Sequence, residues 1–153
     1  MRARNAATWA ACLLLACSDQ PVPRGLARFE RPSAVDFVCV ADGEVVAIEH
    51  CRGGYTSSFA LHALVTQSAR GEIAAVDLQQ QRVLDNRRDI PGFTFVPVGE
   101  LPIAIVVPAR HPWFTYVADY GGRDVRVLRT GALVLPTATD PTLQTVHLPA
   151  APL

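Results

Sequence analysis

The chain has 153 residues, and its 14 basic side chains balance its 14 acidic ones. Every basic residue is arginine, and these are scattered rather than clustered, so charge gives no basis for binding nucleic acid or an anionic surface. The length allows one domain, and half of the residues are hydrophobic, enough for a core.

Arg2 and Arg4 precede an apolar run from Ala6 to Ala16, and polar Ser18-Asp19-Gln20 follows. A basic start, a short apolar stretch and a small residue before a cut site form a secretory signal. The run is well short of the roughly 20 residues that a membrane-spanning helix needs. Its end, Leu14-Leu15-Ala16-Cys17, resembles a bacterial lipobox. The resemblance implies removal of a signal peptide (residues 1–16), lipidation of Cys17 and firm anchoring to a membrane. Ser18, in place of an aspartate retention signal, points to the outer membrane.

Removal of the signal discards Cys12 and leaves Cys17, Cys39 and Cys51. With Cys17 lipidated, an even pair remains in an oxidising compartment, which favours a Cys39–Cys51 disulfide. Two free thiols, or a metal site that adds His50, remain alternatives. Adjacent His50-Cys51 is poor spacing for two ligands of one ion.

Residues 17–34 contain Pro21, Pro23 and Pro32 without periodicity and read as a flexible tether. From residue 35 the texture becomes short β-branched and aromatic runs between turn residues. Strands are expected near Asp36–Val40, Val45–Glu49, Phe59–Thr66, Glu72–Leu78, Phe93–Val98, Ile103–Val107, Phe114–Ala118, Asp124–Leu128 and Leu143–Leu148. Asp42-Gly43 is a hairpin signal, and Ser68–Gly71 and Tyr120–Arg123 are expected turns. Prolines from 91 to 141 break any long helix, so the class is all-β.

Leu64–Val76 aligns with Tyr116–Leu128 at an offset of 52 residues (64 to 116), and Val98–Pro102 aligns with Leu148–Pro152 at 50 (102 to 152). A period near 50 residues with about four strands suits a propeller blade. The second copy holds Gly99 and Pro102, then Tyr116-Val117-Ala118 and Val125-Arg126-Val127. This wording resembles the YVTN-type β-propeller repeat, with Asp119 where that family usually has Asn and Pro108–Pro112 replacing its usual turn. The resemblance implies an incomplete β-propeller: about two four-stranded antiparallel blades over residues 35–153, behind a signal peptide and tether. Two blades do not close a ring, so the chain is expected to be the N-terminal part of a longer propeller; a small β-sandwich is the alternative.

No nucleophile elbow, phosphate loop or zinc-protease motif occurs. The four histidines are dispersed, and no catalytic, cofactor or metal residue is assigned. Arg87-Arg88 reads as a solvated loop and Ser57-Ser58 as part of a flexible one. Asp119 and Asp124 flank a turn, where capping is the simpler reading than a calcium site. Trp113 either packs between blades or lines a groove. The expected function is a lipid-anchored binding or scaffolding surface of the cell envelope, with a protein or glycan partner and no enzymatic role. The alternatives are a fragment of a lactonase-like or redox propeller, as the family resemblance implies, or a remnant without function.

Overall fold

In the computed structural model, residues 28–53, 58–86, 95–135 and 140–150 are described. β1 (Pro32–Ala41) turns at Asp42-Gly43 into the short β2 (Glu44–Val46). Both turn residues have positive φ, 50° and 82°, the backbone of a two-residue hairpin whose twist matches its strands. β3 (Phe59–Gln67) and β4 (Glu72–Asp77) follow. The two-residue strands β5 (Arg82–Val83) and β6 (Val96–Pro97) pair with opposite ends of β4. The first sheet runs β2-β1-β3-β4-β5, with β6 beside β5 on the edge of β4. β7 (Pro102–Val106), β8 (Phe114–Asp119), β9 (Asp124–Arg129) and β10 (Thr142–His147) form a second antiparallel sheet in chain order. A single helical turn, α1 (Thr130–Val134), lies between β9 and β10.

The all-β class holds, and several expectations need correction. Pro32–Ala34, read as tether, opens β1, where a strand's first residue tolerates proline. The expected strand Val45–Glu49 stops at Val46. A 3-10 helix (Ile48–Gly53) then returns the chain so that Cys51 bonds Cys39 in β1. The expected strand Phe93–Val98 keeps only Val96–Pro97 among the described residues; Phe93 and Thr94 lie outside them. β5 and α1 carried no signal in the sequence. β5 follows a turn in which the Asp77 carboxylate accepts the N–H groups of Gln79 and Gln80 (3.0 and 2.9 Å). α1 is held by burial of Leu133 and Val134 in the core, a tertiary effect.

The two sheets repeat one pattern. All six β3–β4 pairs, from His62↔Asp77 to Gln67↔Glu72, recur in β8–β9, from Phe114↔Arg129 to Asp119↔Asp124. β1 and β7 match at an offset of 70 (32 to 102), each with a bulge just after its opening proline. The larger offset reflects the β2 and disulfide-bonded segment that only the first unit carries. The closing bonds repeat too. Ser68 N–H donates to the Arg31 carbonyl (3.0 Å) as Tyr120 N–H does to Leu101 (2.9 Å). Val98 N–H donates to Gly71 (2.7 Å) as Leu148 N–H does to Arg123 (2.8 Å). In the first unit the fourth strand position is divided between β5 and β6; in the second, β10 fills it alone.

One face of the first sheet, here its front, presents Val38, Val40, Leu64, Ile73 and Ala75. It packs in one core with Ile105, Val117 and Leu128 on the back of the second sheet, and with Val45, Leu84, Val96, Val98 and α1. Each large aliphatic side chain so buried contributes roughly 1.5–3 kcal/mol. Two polar bonds pin the joint. Ser33 Oγ donates to the Pro102 carbonyl (2.7 Å), and Asp36 Oδ2 accepts the Val107 N–H (2.6 Å). The described residues form these two stacked sheets and no closed barrel or ring.

Candidate binding groove

A groove of about 460 Å³ opens among the described residues. The β1–β2 hairpin supplies Gly43, Glu44 and Val45, and the start of β8 supplies Trp113 and Phe114. Arg129 closes β9, Gly131 lies within α1 and Leu135 follows it. The wall is fixed from behind. Thr130 N–H donates to the Trp113 carbonyl (2.9 Å), and the buried hydroxyls of Thr115 and Thr130 share a hydrogen bond (2.8 Å). These bonds tie the entry of β8 to the exit of β9. Pro112 restricts the backbone before Trp113. The His111 ring lies 6.1 Å from the indole, tilted by 47°.

Trp113 is 54% exposed, so its indole faces the groove rather than the core between the sheets. Phe114 extends the apolar surface, while Arg129 and Glu44, both exposed, bring one positive and one negative group. An aromatic platform flanked by hydrogen-bonding groups suits a ligand with an apolar face and polar edges. Three separated segments build the groove. The sequence flagged only Trp113, because nothing local marks Glu44, Arg129 or Gly131 as its neighbours.

A smaller cavity of about 230 Å³ lies between β1 and the Val107–Pro112 segment. Its one carboxylate, Asp36, accepts the N–H groups of Phe37 (2.8 Å) and Val107 (2.6 Å), so it acts in the joint between the sheets.

The remaining candidates are dispersed. Cys17 lies outside the described residues, as do Arg87, Arg88 and Ser57. Cys39 and Cys51 form a disulfide with Cα atoms 5.8 Å apart, which displaces both the free-thiol and the metal alternatives for this pair. His50 stacks on Phe59, with ring centroids 6.3 Å apart. His62 is buried, and burial pushes its pKa below the ordinary value, partly opposed by Asp77. His147 ends β10. Among the described residues, no group of three or more His, Cys, Asp or Glu is gathered for a metal ion.

Asp119 is fully buried and caps its turn. It accepts the N–H groups of Glu100 (3.0 Å), Leu101 (2.7 Å) and Gly122 (3.1 Å). Gly99 makes room for that carboxylate, since a Cβ at Gly99 would collide with it. The glycine and the acid, noted separately in the sequence, are parts of one device.

The disulfide places the fold in an oxidising, exported setting. No helix among the described residues is long and apolar enough to cross a membrane. No protein-family model, curated protein or solved structure matches this chain.

Proposed function

We propose that this chain is an exported lipoprotein of the bacterial cell envelope. In this reading it is anchored through Cys17 and carries propeller-type sheet repeats as a binding surface. The basic, apolar and Leu-Leu-Ala-Cys segments support export and lipidation, and the Cys39–Cys51 disulfide fits the same compartment. The common register of the two sheets, with inner strands β1 and β7 joined side by side, supports the propeller reading.

The observation that carries the binding role is the exposed Trp113 at a groove edged by Phe114, Arg129 and Glu44. The favoured ligand is an envelope glycan: a sugar ring stacks on the indole through its C–H face while its hydroxyls reach the charged groups. The chain has two tryptophans, and Trp9 lies in the signal segment, so mature-chain fluorescence reports on the groove alone. Titration with soluble cell-wall glycan fragments should shift the emission, and Trp113→Ala should weaken binding at least tenfold by calorimetry. Photo-crosslinking from position 113 to an envelope protein, without a glycan response, would replace the glycan by a protein partner. Silence in both assays would remove the groove from the proposal. Fatty-acid labelling that disappears in Cys17→Ala tests the anchor separately.

A further inference from the structure

The packing of the two sheets is head-to-tail, and each sheet leaves its unused face outward. The front of the first sheet lies on the back of the second. By the repeat, Leu64, Ile73 and Ala75 on that front correspond to Tyr116, Val125 and Val127. Those three lie on the front of the second sheet, beside Val106, which is 52% exposed. Conversely, the buried Ile105, Val117 and Leu128 correspond to Val35, Val65 and Val76. These lie on the back of the first sheet, where Val35 and Phe37 are 53% and 43% exposed, Val65 and Val76 are half-buried, and the small Cys39, Ala63 and Ala74 between them are buried. Among the described residues the molecule therefore presents an open front and a partly open back, the two halves of a joint that it already forms internally. Exposed apolar faces of this kind mark association surfaces.

We infer that the free front of one chain docks on the free back of a second copy of the same chain. The internal joint is the template. Its polar clamps are absent at the new joint, because Ile103 and Val106 stand where Ser33 and Asp36 stand in the first unit, so contact between copies is apolar. Loss of Arg2 and Arg4 with the signal segment leaves 12 arginines against 14 acidic residues, a net charge of −2, so repulsion between copies is weak. A head-to-tail joint closes into a ring when its rotation allows and otherwise grows as a filament. Rings of about four to eight sheets correspond to roughly two to four copies of this chain. Phe114 and Arg129, which edge the Trp113 groove, lie at one end of the same front, so a docked copy and a groove ligand meet there.

The test uses the full chain, solubilised in mild detergent, under two different affinity tags. Unaltered copies should co-purify, with a mass by light scattering that is an integral multiple of one chain. Val106→Arg in both copies removes every front, and Val35→Arg in both removes every back; each should cut co-purification at least tenfold. Mixing the Val106→Arg copy with the Val35→Arg copy should restore a one-to-one pair, since one front and one back survive. That rescue shows that both variants fold, and Tyr116→Asp with Val65→Asp gives a second such pair. A symmetric front-to-front or back-to-back dimer cannot produce it. Failure of unaltered copies to associate, or failure of both mixtures to restore the pair while each variant keeps its unfolding transition, would overturn the inference.

Discussion

The two sheets pair their strands in one register but hold their ends by different means. In the second, the Asp119 carboxylate gathers three backbone N–H groups beside Gly99. At the equivalent place in the first, Gln67 receives only the Glu30 N–H (2.9 Å), its own amide nitrogen lacks a partner, and Phe29 stands where Gly99 stands. The first sheet has the disulfide instead, in a segment that the second lacks. A repeat thus conserves a pattern of pairing while the local fastening varies. A carboxylate holding three N–H groups and a covalent bond both secure a sheet at comparable strength.

Equivalent substitutions should separate what belongs to the repeat from what belongs to position in the stack. Leu64 and Tyr116 occupy the same register site, one fully buried and the other 37% exposed. Leu64→Ala should cost about 2–5 kcal/mol in chemical denaturation. Tyr116→Ala should stay within about 0.5 kcal/mol for the isolated chain. Equal losses would mean that both faces are covered.

Next comes the pair of turn-holding residues. Asp119→Ala removes the buried acceptor shared by three N–H groups and should cost about 3 kcal/mol, against about 1 kcal/mol for Gln67→Ala. Thermal unfolding of the two variants checks the ratio; reversal would show that the first sheet depends on its end contact more than its single bond suggests. Removing the disulfide with Cys39→Ser and Cys51→Ser should cost about 3 kcal/mol, given the sequence separation of 12. Hydrogen exchange should then quicken in β1 and β2 and stay slow in β7 to β9.

The smallest effect concerns His62, whose counterpart is Phe114. Burial holds the folded imidazole below its ordinary pKa of 6.5, so the unfolded chain takes up a proton more readily. The contribution of His62 to stability is complete above pH 6.5 and is lost as pH falls through 6.5 towards the folded value. Denaturation midpoints between pH 8 and 5.5 should drop more for the native chain than for His62→Phe.

The strands of both sheets were legible because β-branched runs between Asp-Gly, Gly-rich and Pro-bearing turns carry a local signal. The 52-residue repeat was legible for the same reason, and it reproduces the β3–β4 register in β8–β9 pair for pair. The cysteine pair followed from counting thiols in an exported chain. The 3-10 helix after Val46, the two-residue β5 and α1 escaped, since tertiary contacts rather than propensity hold them. The groove showed only as an isolated tryptophan. Glu44, Arg129 and Gly131 reach it through hairpin and sheet geometry that no local spacing records.

By itself the sequence determined the all-β class and the 52-residue repeat of strand and turn, and it favoured the pairing of Cys39 with Cys51. Alternation of side chains, turn chemistry and thiol arithmetic are properties of short segments and of composition. Tertiary structure decided which face of each sheet is buried. Leu64 and Tyr116 are both apolar and sit at equivalent sites, yet only the stacking of the first sheet's front on the second sheet's back excludes water from one and leaves the other exposed.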